Sequence, residues 1–158
     1  MAEADITFQD VDGFAISIGP GSYTGLRVGL SLVKGLAFST GKPIVAVPTL
    51  DAVAYTLPYC GYPVHVLLDA RRGQVYTARY DMTDGRPERT SAFQATAIED
   101  IIAEVHEPVD FAGSGAEVYR AQLYEALGDQ VRFLPPCLAR LHSSSILCMG
   151  THSIQHVE

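Results

Sequence analysis

A short apolar run ends in a glycine turn that opens directly into a long apolar segment, and this limits the fold more than any other feature. The run is residues 14–18, the turn is Gly19-Pro20-Gly21-Ser22-Tyr23-Thr24-Gly25, and the apolar segment continues to Phe38. The pattern predicts a buried strand, a tight loop and a helix. Pro20 holds its own φ, while Gly19 and Gly21 accept backbone angles closed to other residues. Ser22 or Thr24 can cap the helix by accepting a hydrogen bond from a free N–H. The turn can also cradle an anion, because free amides and the positive helix end point the same way. Its glycine spacing is G-x-G-x-x-x-G, which is neither the dinucleotide fingerprint nor the phosphate loop ending in Gly-Lys-Ser/Thr. A plainer use of the glycines is close packing of strand on helix.

The helix over 25–38 carries Leu26, Val28, Leu30, Leu32, Val33, Leu36 and Phe38 around most of its circumference. Its charges, Arg27 and Lys34, share one narrow stripe. A helix apolar nearly all round is buried on more than one side. One side covers the sheet, and the other needs a cover. Other residues of the chain could provide it; a partner helix is the preferred reading, with Gly25, Gly29 and Ala37 as small positions for close approach.

A second distinctive stretch is Leu68-Asp69-Ala70-Arg71-Arg72-Gly73-Gln74-Val75-Tyr76. Together with the glycine turn it resembles the TsaB (YeaZ) family, accessory subunits that make threonylcarbamoyladenosine in bacterial tRNA. That family falls in the glycoprotease-like, peptidase M22-like group and has a similar Asp-Ala-Arg-x-Gly-Glu-Val-Tyr pattern; Gln74 stands where an acid is commoner. The resemblance is strongest over 14–80. It implies an α/β, actin-like or ribonuclease H-like two-lobe fold, with a partial first lobe over 1–60 and a second α/β lobe over 61–158. It also implies that the family's opening strands and closing segment lie outside this sequence.

The function implied is that of a non-catalytic subunit, which binds a TsaD-like catalytic partner and supports threonylcarbamoyl transfer to adenosine in tRNA. A TsaE-like ATPase is the further partner implied, tRNA is reached only through the complex, and no cofactor is expected, ATP being possible only at the partner interface. The expected contacts are Gly29, Leu32, Val33 and Leu36, with Arg27 and Lys34 at the rim. The same surface could make homodimers. The alternative is a nucleotide-binding or peptidase-like enzyme of the same fold group. It would use the Gly19–Gly25 and Gly113–Gly115 turns, and the candidate anion or nucleotide loop comprises Gly19, Gly21, Ser22, Thr24, Gly25, Asp69 and Arg71; the two arginines after Asp69 could hold phosphate or simply neutralise the aspartate.

The rest of the chain reads as alternating elements. Residues 44–47 form a second buried strand, and Thr49 and Asp51 start a helix, Asp51 favoured there by the positive helix end. The run 57–63 breaks that helix and marks the lobe boundary. Residues 64–68 and 74–80 flank a turn and predict a hairpin. Thr96-Ala97-Ile98-Glu99 has the form of a capping box, starting a helix to Val105. A strand over 109–112 is followed by a Gly113-Ser114-Gly115 turn, with an anion cradle or plain packing as its two readings, and by one helix over 116–127. An edge strand over 131–134 and a short helix over 144–149 complete the pattern.

The net charge of −7 over 158 residues argues against a free-standing nucleic-acid binder, since phosphate contacts need a basic surface. The 3 cysteines, Cys60, Cys137 and Cys148, form no C-x-x-C pair, which fits a reducing cytoplasm. No secretion signal or membrane-length apolar run is evident. His152 and His156 have one-turn spacing, but no acid follows His152, so the H-E-x-x-H pattern fails and no metal is expected. Ser22 is not in a G-x-S-x-G context, and a cap explains it without catalysis.

Overall fold

The computed structural model describes residues 7–57, 60–83, 85–137, 139 and 143–154. They divide into two compact units, one of residues up to Thr49 together with Ser143–Glu158, the other of Leu50–His142. The division falls at Thr49 rather than at residue 60, and the last helix groups with the first unit rather than the second. The chain therefore leaves the first unit for nearly a hundred residues and returns.

The first unit begins with a 3-10 turn, Phe8–Asp10, whose Asp10 carboxylate accepts from the Thr7 N–H and hydroxyl. Strand β1 (Phe14–Gly19) and strand β2 (Ile44–Pro48) pair in parallel as a 2-stranded sheet, joined by helix α1 (Tyr23–Thr40). A parallel pair requires such a crossover. Helix α1 stops at Gly41, which takes the left-handed conformation at φ 69° and donates its N–H to the Ala37 carbonyl, as a glycine C-cap does.

Helix α2 (Thr49–Ala54) begins directly at the end of β2, with Thr49 as its first residue rather than a cap outside it. The Thr49 hydroxyl lies 2.6 Å from Ser17 Oγ. Asp51 sits in the first turn, as expected, and also accepts a 2.7 Å hydrogen bond from the Tyr80 hydroxyl, with Arg89 Nε at 3.4 Å.

The second unit is built on a 6-stranded sheet. Strand β3 (Val64–Arg71) and strand β4 (Gln74–Thr83) form the expected hairpin, each strand starting where its apolar run does and ending three residues later. Strand β5 (Arg86–Arg89) and strand β6 (Gln94–Ala97) both pair antiparallel with β4. Helix α3 (Ile98–Glu104) follows β6 without a break.

The expected capping box does not form. Thr96 belongs to β6 and its hydroxyl bonds to Asp100 Oδ2 at 2.6 Å, while Ala97 occupies the cap position with no side-chain bond. The helix starts at Ile98, so the cap position falls on Ala97, whose methyl group has no acceptor, and the Thr96 hydroxyl is taken up by the Asp100 carboxylate. Strand β7 (Val109–Ala112) then pairs parallel with β3.

The helix expected over 116–127 is two helices, α4 (Ser114–Val118) and α5 (Arg120–Leu127), divided at Tyr119. Strand β8 (Val131–Phe133) pairs with β7 at the sheet edge, as the apolar run implied. Helix α6 (Ser143–Ile154) packs on β1 and β2 of the first unit.

The sheet of the second unit has a core on each face. Leu50, Val53 and Ala54 of α2 meet Val64, Val66, Ala78 and Tyr80 on one side. Ile98 and Ile101 of α3, Ala116 of α4 and Leu123 of α5 meet Leu67, Val75 and Phe111 on the other. This sandwich explains why β3 reads as a nearly unbroken apolar run, since a central strand buries both of its faces.

Candidate functional site

The glycine turn and α1 make a continuous surface in the first unit. Gly19 closes β1 at φ 107°, a conformation that favours glycine, and a Cβ there would stand 3.1 Å from Leu26 Cδ1. Of the two expected caps, Ser22 is the one used: its Oγ accepts from the Gly25 N–H at 3.3 Å, and its carbonyl accepts from the Leu26 N–H. Both of these amides at the helix start are therefore satisfied within the turn. Gly21, Thr24 and Gly25 are exposed.

Helix α1 has a covered side and an open side. Leu26, Gly29, Leu30, Val33, Leu36 and Ala37 are partly or wholly buried, and a Cβ on Gly29 would lie 3.6 Å from Ile16 of β1. The open side carries Val28 at 65%, Leu32 at 62% and Phe38 at 93% exposure. Arg27, Ser31, Lys34 and Gly35 accompany them, with space beside Gly35 for another backbone.

Of the expected contacts, Leu32, Arg27 and Lys34 thus stand on the open side. Gly29, Val33 and Leu36 are partly buried, Gly29 facing Ile16 of β1. Tyr23, Val28, Ser31, Gly35 and Phe38 were missed as surface residues. The available signal was the stripe opposite Leu26, Leu30, Val33 and Ala37, but a helix apolar all round does not say which stripe meets the sheet.

Two hollows flank the start of this ridge. One of about 390 Å³ is bordered by Tyr23, Thr24, Arg27, Val28 and Ser31. The other, of about 180 Å³, lies among Ile18, Tyr23, Leu26 and Leu30. Arg27 divides them, its guanidinium 5.4 Å from the Tyr23 ring centroid and 3.4 Å from its hydroxyl. The result is an apolar strip with one cation set in it.

Asp69 and Arg71 lie in the second unit, at the hairpin tip. Asp69 Oδ1 accepts from the Arg71 N–H at 2.9 Å, and the Asp69 N–H donates to Ser114 Oγ at 3.2 Å. The carboxylate therefore shapes its own turn, in which Arg71, Arg72 and Gly73 all take positive φ. The Gly113 turn is a packing device: a Cβ on Gly113 would fall 2.3 Å from the Leu67 carbonyl oxygen, and one on Gly115 3.0 Å from Leu67 Cβ. His156 lies outside the described residues. Among the described residues no group of His, Cys, Asp and Glu could hold a metal ion, and no helix is long and apolar enough to cross a membrane.

The family model described as "TsaD: tRNA N6-adenosine threonylcarbamoyltransferase" matches residues 1–157. The tRNA threonylcarbamoyladenosine biosynthesis protein TsaB of Bacillus subtilis is 34% identical over 131 residues, 81% of this chain and 57% of that protein. TsaB of Haemophilus influenzae is 27% identical over 169 residues, 100% of this chain and 72% of that protein. The chain thus spans little more than half the length of the first of these relatives. YeaZ from Pseudomonas aeruginosa superposes with a TM-score of 0.75 at 24% identity, covering 95% of this chain and 70% of that one. The α/β fold expected from the sequence is the YeaZ fold.

Proposed function

Since this chain belongs to the TsaB/YeaZ group of the tRNA N6-adenosine threonylcarbamoyltransferase family, we propose that it is an accessory, non-catalytic subunit of threonylcarbamoyladenosine synthesis. In this reading it binds a TsaD-like catalytic subunit through the open side of α1. The observation that carries the proposal is the ridge of Val28, Leu32 and Phe38. Covering large apolar side chains of this kind contributes roughly 1.5–3 kcal/mol each, so a helix laid along the ridge has a substantial driving force. Ser31 and Gly35 let that helix approach closely, and Arg27 and Lys34 set its register at the rim.

The acidic chain leaves tRNA binding to the partner. A TsaE-like ATPase and any ATP would join at the assembled complex. The protein would work in the cytoplasm, where the tRNA is.

The test is co-purification with the TsaD of the same organism. Leu32→Glu places a carboxylate within the apolar contact and should weaken the complex by more than ~3 kcal/mol, while the isolated chain stays folded. Unchanged association would remove α1 from the interface. ATP or peptide hydrolysis by the purified chain alone would overturn the accessory reading. If the ridge pairs two copies when TsaD is absent, light scattering will show a dimer that Leu32→Glu converts to monomer.

A further inference from the structure

The open side of α1 carries cations and no anion. Arg27 and Lys34 are the charged residues of this helix, and Tyr23–Thr40 contains no Asp or Glu. Neither cation forms an ion pair among the described residues. Arg27 instead rests on its own helix, its guanidinium 5.4 Å from the Tyr23 ring centroid. The other described charged side chains of the first unit stand off α1. Asp10 and Asp12 precede β1, while Lys42 follows the helix and acts on the Asp10 carboxylate.

The ridge has the layout of a surface that meets another helix. Thr24, Arg27, Val28 and Ser31 border the larger hollow, and this i, i+3, i+4, i+7 set is the hole that takes one side chain of a facing helix. Val28, Ser31, Leu32 and Gly35 repeat the spacing one turn on. Arg27 and Lys34 directly precede Val28 and Gly35, so both flank the seam on one side, about 10 Å apart along the axis. Charges flanking an apolar seam set partner choice and orientation. In an antiparallel pair of two copies centred on Ser31, Arg27 would face Lys34 of the second copy. Like charges so placed oppose the pairing.

We propose that the ridge selects a helix whose apolar seam is flanked by two carboxylates about two turns apart, one against Arg27 and one against Lys34. The same two cations turn away a second copy of this chain. The inference rests on the reading that α1 docks a TsaD-like catalytic subunit, and it adds the chemistry of the helix that subunit presents.

The experiment measures binding of the TsaD of the same organism to the wild-type chain and to three variants, at about 50 mM and about 500 mM NaCl. The variants are Arg27→Gln/Lys34→Gln, Arg27→Glu/Lys34→Glu and Leu32→Glu. All three positions are exposed, and circular dichroism checks that each variant folds. The wild-type complex should weaken as salt rises. At low salt the Gln pair should bind about fivefold more weakly and lose most of that salt dependence, and the Glu pair should bind at least about tenfold more weakly. If both double variants keep the wild-type affinity and salt dependence while Leu32→Glu abolishes the complex, this inference falls and the docking reading stands. Unchanged affinity in all three variants overturns both. Light scattering on the chain alone is the second readout. A monomer supports the selection against self-pairing; a dimer that Leu32→Glu dissolves and that tightens as salt is lowered overturns it.

Discussion

At the residue scale, His65 makes a pH prediction with a definite sign. Burial, with a smaller contribution from Arg79, lowers its pKa from 6.5 to about 4. The unfolded chain therefore binds a proton that the fold refuses, and stability falls as pH drops from 6.5 toward 4, levelling below. From about pH 7.5 to about pH 4.5 this residue alone should cost roughly 2.5 kcal/mol, measured by urea unfolding. His65→Leu should flatten that slope. Asp110 acts the other way, because burial raises its carboxyl despite Arg132 at 3.2 Å, so the difference between wild type and variant is the quantity to read. Gly113 gives a second prediction. It has φ 97° and a Leu67 oxygen where a Cβ would go, so Gly113→Ala should lose about 3 kcal/mol or more. Gly73 has φ 76° but open space, and Gly73→Ala should lose only about 1 kcal/mol in the same assay.

At the element scale, α1 shows how a helix can be well specified at its ends and ambiguous around its axis. Ser22 and Gly41 define its start and stop, and both roles depend on local backbone chemistry. Ser22→Ala should destabilise the first unit by about 1 kcal/mol, with Thr24→Ala near neutral, by thermal unfolding. The failed capping box at Thr96 is the converse case. The same four-residue pattern overlaps the end of β6, and the helix begins one residue later than the pattern implies, which leaves Ala97 at the cap with no side chain to bond. The break at Tyr119 has its origin in packing. Gly113 and Gly115 press α4 onto the backbone of Leu67, while Leu123 of α5 is buried in the core with α3's apolar residues. One straight helix does not meet both demands.

At the scale of the molecule, the two units differ in how much they bury. The second has both cores, while the first has a 2-stranded sheet, and its described buried residues include Ala37 of α1, Val47 of β2 and Thr49. Small sheets are marginal on their own, and local opening is easiest where few apolar groups are covered. Hydrogen exchange should therefore be at least about tenfold faster in β1 and β2 than in β3. If the proposed TsaD-like partner docks on α1, its addition should slow exchange there first. Equal protection in the two units of the isolated chain would show that the ridge needs no cover.

Most elements were legible in the sequence because their signals are local. The strand, turn and helix over 14–38, the hairpin around Asp69 and the strands at 109–112 and 131–134 follow from apolar runs and punctuation by Gly and Pro. The family was legible for the same reason, since its two motifs are contiguous stretches. Two matters depended on tertiary packing: which stripe of α1 meets β1, and that Ser143–Ile154 returns to the first unit. Each is a relation between residues far apart in the chain. Periodicity shows that a face is apolar, but only burial by distant residues shows which face remains open.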